Sequence, residues 1–410
     1  MTERALSPTL RRSAARAWLP VAATMFAIGW GANQFVSLLV AYRERTGLSV
    51  GTVDALVGAY ALGLIPALLV LGPVSDRIGR APVLRGAALV SLAATAVLMT
   101  GTLPALYTGR LLAGLASGAA FAAGSAWVEE LSAPSWDPGA RPGAGARRAA
   151  MSLTAGFGLG PVVAGLLAQW APAPLVVAYV PHLLVVLAVL VPLWRSPETV
   201  QRTAATPGSA WSRLRVRSAA DPRFRWTVAP VAPWVFGAAT VSIAVLPGLV
   251  ASTTAGWAVA FNALVAGVTL GTGFVVQPYG RKLAARDPRR GVAVGLTAIV
   301  AGLCCGAWAA ATASPLLVLA AAVIIGSGYG CLLVSGLLET QRIAAAGELA
   351  GLTAVYYALT YVGFALPVLL ALLAAVAPYW VLLLSLAGLA AITLVVAVVP
   401  RRRAADVSAR

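Results

Sequence analysis

The sequence predicts an all-α polytopic membrane protein, with twelve transmembrane helices in two pseudo-symmetric six-helix bundles. Three observations predict it. The 410 residues are 60% apolar and only 10% charged, whereas a soluble domain carries about 45–50% and about 25%. The basic residues gather in alternate loops between apolar runs. The second half of the chain repeats landmarks of the first.

Composition comes first. The mean hydropathy of +0.87 excludes a disordered chain. So much apolar surface exceeds what one soluble core buries, and its spread along the whole chain excludes a single anchor. The three cysteines, Cys304, Cys305 and Cys331, lie in apolar runs with neither disulfide nor metal spacing, so no metal or other cofactor is expected. Every basic residue but Lys282 is arginine, and with 41 glycines this suggests a GC-rich coding sequence and a bacterial source. The arginines before the first apolar run could mimic a secretory signal, but that run is too long and no cleavage site follows.

Apolar stretches long enough for a ~30 Å hydrocarbon core fall at 18–42, 50–72, 82–101, 105–130, 149–171 and 175–194. After a polar segment come 225–250, 255–280, 291–311, 315–338, 350–373 and 378–399. On one side lie Arg4, Arg11, Arg12 and Arg16, then Arg77, Arg80 and Arg85, then Arg141, Arg147 and Arg148, then the arginines of the central and later even-numbered loops and of the C-terminal tail. The other side has Arg43 and Arg45 alone. The positive-inside rule puts both termini and the central loop in the cytoplasm of a cell (plasma) membrane protein. The net charge of +17 is therefore topological, with membrane lipids as neighbours and no nucleic-acid partner.

The halves align at an offset of about 201–210 residues. Pro20-Val21-Ala22 matches Pro230-Val231-Ala232. Gly72, Gly79 and Arg80 match Gly273, Gly280 and Arg281. Ser117-Gly118 matches Ser327-Gly328, and Pro161 matches Pro367. An even number of spans per half makes this a parallel repeat, whose substrate site is expected near the midplane between halves. The expected organisation is an N-terminal bundle over 1–195, a cytoplasmic linker over 196–224 and a C-terminal bundle over 225–410.

Between the second and third spans stands Gly72-Pro-Val-Ser-Asp76-Arg77-Ile-Gly79-Arg80. It resembles the signature loop of the major facilitator superfamily, G-x-x-x-D-R-x-G-R. A degenerate copy, with Gln277 and Pro278 replacing the Asp-Arg pair, lies at Gly273 to Arg281. Gly72 is expected to allow close packing, and Asp76 to pair with Arg80 or another basic group and to face the N-terminus of the eleventh helix. The resemblance implies a conformational latch, with Glu129, Glu130 and Glu339 joining the cluster. In the fifth span, Gly156, Gly160, Pro161 and Gly165, with Ala164 at one glycine position, resemble the family's antiporter motif and imply proton-coupled efflux. Arg110 in Gly109-Arg110-Leu-Leu-Ala-Gly114 resembles its intramembrane arginine motif.

An intramembrane guanidinium needs a partner, and Asn33, Gln34 and Asp54 are candidates; snorkelling to the outer interface is the other reading of Arg110. Asp54 and Arg110 are the candidates for proton coupling, against helix capping for Asp54. The first span carries Asn33 and Gln34 where many proton-coupled drug exporters of the family carry an acid. His182 is expected in an interfacial structural role. Trp30, Asn33, Gln34, Arg110, Trp127, Trp234, Asn262, Tyr329, Tyr356, Tyr357 and Tyr361 are the candidate substrate-binding residues, suiting a hydrophobic small molecule. The expected function is a secondary active transporter, not an enzyme: a monomer exchanging protons for drug-like or natural-product molecules by alternating access. Uptake of a sugar or other small metabolite is the alternative transport reading. A non-transporting receptor or scaffold is the alternative of another class.

Overall fold

The computed structural model describes residues 16–141, 143–200, 216–345 and 348–398. Arg4, Arg11 and Arg12, the middle of the expected linker with Arg202, Arg213 and Arg215, and the C-terminal arginines lie outside the described residues. Among the described residues twelve helices are long and apolar enough to cross a membrane. They are α1 (Trp18–Thr46), α2 (Val50–Ile78), α3 (Arg80–Leu98), α4 (Leu103–Leu131), α5 (Ala144–Trp170), α6 (Pro174–Trp194), α7 (Phe224–Leu249), α8 (Ala258–Arg286), α9 (Arg289–Thr312), α10 (Pro315–Ile343), α11 (Gly351–Leu373) and α12 (Tyr379–Val398). Helix is forced because lipid offers no partner to backbone N–H and C=O groups. The predicted spans agree to within a few residues at most ends. Several helices run on past their apolar stretch into polar sequence, α2 through Asp76 and Arg77 and α8 through Lys282.

Local chemistry fixes the breaks. The Ser49 hydroxyl accepts from the Thr52 N–H at 3.2 Å and caps α2. Asp54 lies a turn further in, so capping does not explain it. Gly79, at φ +109°, makes the sharp turn from α2 into α3, a conformation that favours glycine. Asp287 caps the start of α9 through the Arg289 N–H at 3.0 Å.

In the first half α1 packs on α5 and α6, α2 on α4, and α3 on α4 and α6. In the second, α10 packs on α8 and α9, α9 on α12, and α7 on α10 and α11. Across the halves, α5 lies along α8 and α2 along α11. The α2–α4 contact needs Gly63, Gly114 and Gly118: a Cβ on Gly118 would sit 2.6 Å from the Leu64 carbonyl. Gly72 does not have the packing role expected of it, since a Cβ there would make an ordinary 3.7 Å contact with Ala122. Three helices change their winding mid-membrane. Gln34–Leu38 in α1 tightens to a 3-10 turn, while Ala120–Gly124 in α4 and Val241–Val245 in α7 widen to π turns. Such irregular turns often mark functional positions in helices.

Candidate functional site

Aromatic rings from both halves meet at the centre. Phe121 of α4, placed by the widened turn, stacks on Phe157 of α5 with centroids 5.9 Å apart and meets Tyr357 of α11 at 5.3 Å. Tyr361 lies 4.7 Å from Phe236 of α7, which meets Tyr329 of α10 at 5.8 Å. Tyr60 of α2 packs on Phe364 at 5.7 Å and Tyr361 at 6.1 Å. Phe121, Phe157, Phe236 and Tyr357 are only half-buried, whereas Tyr60 and Tyr361 are buried behind them. Trp30 packs edge-on to Phe26, and its buried Nε1 has no hydrogen-bond partner.

Of the sequence candidates, Trp30, Tyr329, Tyr356, Tyr357 and Tyr361 fall at or beside this cluster, Tyr356 meeting Tyr357 at 5.7 Å. Trp127 is fully buried and donates from Nε1 to the Pro197 carbonyl at 3.0 Å, near the terminus-bearing end. Trp234 donates to Thr393 of α12 at 3.1 Å, inside its own half. The Tyr356 hydroxyl donates to the Leu333 carbonyl of α10 at 3.1 Å. Trp127 and Trp234 thus stand away from the cluster; apolar residues surround every face of such helices, leaving no periodicity to orient them from sequence. Tyr60, Phe121, Phe157, Phe236 and Phe364 were missed; their place in the middle thirds of spans from both halves was the available signal.

Arg110 is 1% exposed, so it does not snorkel. Its Nη1 donates to the Ala32 carbonyl at 2.8 Å and its Nε to the Leu56 carbonyl at 3.1 Å. The rings of Phe35 and Tyr60 flank the guanidinium at 4.9 and 4.7 Å. None of the expected partners, Asn33, Gln34 or Asp54, meets it.

Asn33 instead donates to the Phe157 carbonyl at 3.4 Å. Proline has no N–H, so Pro161 leaves that carbonyl without its helical donor, and Asn33 supplies one. Ser37 donates to the Pro161 carbonyl at 2.5 Å. Gly156 and Gly160 let α5 reach the α1 backbone: a Cβ on Gly160 would lie 2.6 Å from the Trp30 carbonyl. A Cβ on Gly165 would overlap Ala263 of α8, so this run also touches the other half. Gln34 turns away and donates to Thr95 of α3 at 3.1 Å. Thr95 bonds His182 Nδ1 at 2.8 Å, and His182 Nε2 meets the Ala27 carbonyl at 3.1 Å. His182 therefore ties α1, α3 and α6 in the protein interior rather than at the membrane interface.

The halves are joined at the end away from the termini. Asn262 of α8 donates to the Val36 carbonyl at 3.0 Å, and Gln169 of α5 donates to the Gly256 carbonyl at 2.8 Å and accepts from the Ala260 N–H at 3.0 Å. Asp54 is 2% exposed with Oδ2 lacking a hydrogen-bond partner; Arg43 and Tyr379 are its charged and titratable neighbours. Arg43 reaches Gly248 of α7, where a Cβ would lie 2.8 Å from Nη1.

At the terminus-bearing end the charge networks named here each stay within one half. Arg80 pairs with Asp76 and, at 3.0 Å, with Glu130, and Thr199 also bonds Glu130. Glu129 is exposed and stands outside this network. Glu339 does not join it either: it pairs with Arg223 at 3.2 Å and Arg342 at 3.5 Å in the second half. Arg77 is exposed beside Asp76. Glu198, which sequence reasoning missed, accepts from the N–H groups of Arg80 and Ala81 at 3.0 and 2.9 Å, at the start of α3. Burial pushes its carboxyl up, but the N–H groups of Val200, Ala81, Arg80 and Thr199 outweigh that and hold it below the ordinary glutamate range. Glu348 binds the Ser218 hydroxyl and the N–H groups of Ser218 and Arg217, which hold it low as well. Both described ends of the inter-half segment are thus pinned, one to each half.

Residues 21–367 match the Major Facilitator Superfamily, and the chain belongs to that family. No curated protein shows significant sequence similarity to it. Its fold is similar to that of the nucleoside transporter NupG (TM-score 0.70, 11% identity, covering 93% of this chain and 97% of that one). It is also similar to a peptide transporter POT variant in complex with sulfate (TM-score 0.70, 17% identity, 93% and 94%). A POT family transporter in complex with 5-aminolevulinic acid gives a TM-score of 0.70 at 13% identity, covering 93% and 95%. The chain is a multi-pass membrane transporter of small molecules and not an enzyme.

Proposed function

We propose that this transporter exports hydrophobic small molecules in exchange for protons, as a plasma-membrane protein with both termini in the cytoplasm. The observation that carries the reading is the aromatic cluster shared by the two halves, with half-buried ring faces at the midplane. Every cross-half hydrogen bond named above lies on the side of it away from the termini, which supports a cytoplasm-facing conformation. Ring faces favour apolar cargo over a sugar, whose hydroxyls need many polar partners. Gly156, Gly160, Pro161 and Gly165 support exchange, because they place α5 against α1 and α8 at once.

Asp54 is the residue proposed to carry the proton. It is the one carboxylate in the seal between halves, and Arg43 beside it reaches the other half. Protonation removes a buried charge there, which couples proton arrival to loosening of the seal. Asp76, Arg77, Gly79, Arg80 and Glu130 are proposed as the latch that closes the cytoplasmic end in the opposite state. The rocking units are the bundles 1–195 and 225–410, working as a monomer.

The test uses purified protein in vesicles containing a pH dye. Adding a transported apolar compound under an imposed proton gradient should dissipate that gradient. Accumulation of the compound with no proton movement would replace exchange with a uniporter.

A further inference from the structure

We propose that the cargo is an aromatic or otherwise apolar organic acid, carried as its anion, and not a lipophilic cation. This rests on the central aromatic cluster being the substrate site, and it names the class of molecule that site selects. The observation is a buried positive charge with no counter-ion. The Arg110 guanidinium is held by two backbone carbonyls and two rings, and the titratable groups around it are the neutral phenols of Tyr60 and Tyr179. The chain has 13 acidic residues. Asp76, Glu129, Glu130 and Glu339 lie at the terminus-bearing ends of their spans, and Asp54 lies at the opposite end with Arg43 as its charged neighbour. Arg110 lies in the same outer third of its span as Asp54, but among the described residues neither Asp54 nor any other carboxylate forms an ion pair with it.

The Tyr60 ring links that charge to the cluster. It lies 4.7 Å from the guanidinium on one side and packs on Tyr361 and Phe364 on the other. The Tyr361 and Phe364 rings therefore lie up to about 10 Å from the guanidinium, and a ligand charge against their far side lies at roughly 12 Å. At an effective dielectric of ~20, two unit charges so placed change affinity by roughly tenfold, favourably for an anion and unfavourably for a cation. The unpartnered indole of Trp30 beside the cluster points the same way, because its Nε1 can only donate. The unpartnered acceptors lie elsewhere: Gln34 Oε1 in the α1–α3 contact, Asn262 Oδ1 in the α1–α8 seal, Asp54 Oδ2 at the end away from the termini and Ser335 Oγ on α10. The arginine-rich end of the molecule adds a long-range field that draws anions toward that end.

The test measures equilibrium binding of three probes of nearly equal shape to the purified full-length protein: naphthoate, naphthamide and naphthylmethylammonium. Naphthoate should bind about tenfold more tightly than the amide and about a hundredfold more tightly than the ammonium. Arg110→Lys should keep that order and Arg110→Gln should erase it. Should Arg110→Gln not fold, Trp30→Phe serves instead, weakening naphthoate several-fold while leaving the ammonium unchanged. Equal or tighter binding of the ammonium, an order that survives Arg110→Gln, or no binding by any probe would overturn the proposal. Vesicle transport separates this from the export reading. Preferred naphthoate that moves no protons keeps the anion class and removes proton exchange. Preferred ammonium exchanged for protons does the reverse.

Discussion

At the scale of single residues, the buried charges divide into those with a carboxylate or arginine partner and those without. Asp54 is the clearest of the second kind, and replacing it by Asn should leave the protein folded and able to bind cargo while abolishing the dependence of transport on external pH. Transport rates in vesicles across pH 5.5–8 read this directly; an unchanged pH profile would remove Asp54 as the proton carrier. Glu198 is exposed and held by backbone N–H groups, and its sign can be worked out. Its folded carboxyl is held below the ordinary value of ~4.3, so its contribution is present above that value and is lost as pH falls below it. Glu198→Gln should flatten the fall in melting temperature between pH 5 and 3, measured by thermal unfolding in detergent, while the wild type keeps it. That Arg110 lies inside a span was legible in the sequence, and its partners were not. The acceptors are the carbonyls of Ala32 and Leu56, and backbone atoms leave no mark on residue identity. Glu198 went unseen for the same reason, since its donors are backbone N–H groups.

At the scale of elements, α5 is the spine that touches both halves. Gly160→Leu would drive a side chain into the Trp30 carbonyl, and overpacking of this kind costs about 1–3 kcal/mol. A melting temperature lowered by several degrees with transport lost is the expected result, whereas Gly158→Ala, where a Cβ meets nothing within 4 Å, should be silent. Asn33→Ala should cost less, about 1 kcal/mol, by leaving the Phe157 carbonyl without a donor. The existence and order of all twelve helices were legible because a lipid core demands long apolar runs and the basic loops alternate. The widened turn that places Phe121 and the tightened turn at Gln34–Leu38 were not, because packing from neighbouring helices imposes them on sequence with ordinary helical character. The facing of Trp127 and Trp234, which stand away from the cluster, was not legible at this scale either.

At the scale of the whole molecule, two bundles joined at one end and charge-paired separately at the other suit alternating access about a central site. Asp76→Asn weakens the Arg80 network that the signature loop supplies, so it should lower transport at least tenfold without changing membrane insertion or cargo binding. Rate and binding assays on the same vesicles would separate those effects. The most direct test is a pair of spin-label distances measured in vesicles, after Cys304, Cys305 and Cys331 are replaced. One pair joins Ile78 and Leu349, both exposed at the terminus-bearing ends of α2 and α11. The other joins Thr46 and Ser252, both exposed at the opposite ends of α1 and α7. Alternating access predicts that cargo and a proton gradient shorten the first distance and lengthen the second. Two distances that stay fixed, or that grow and shrink together, would contradict it.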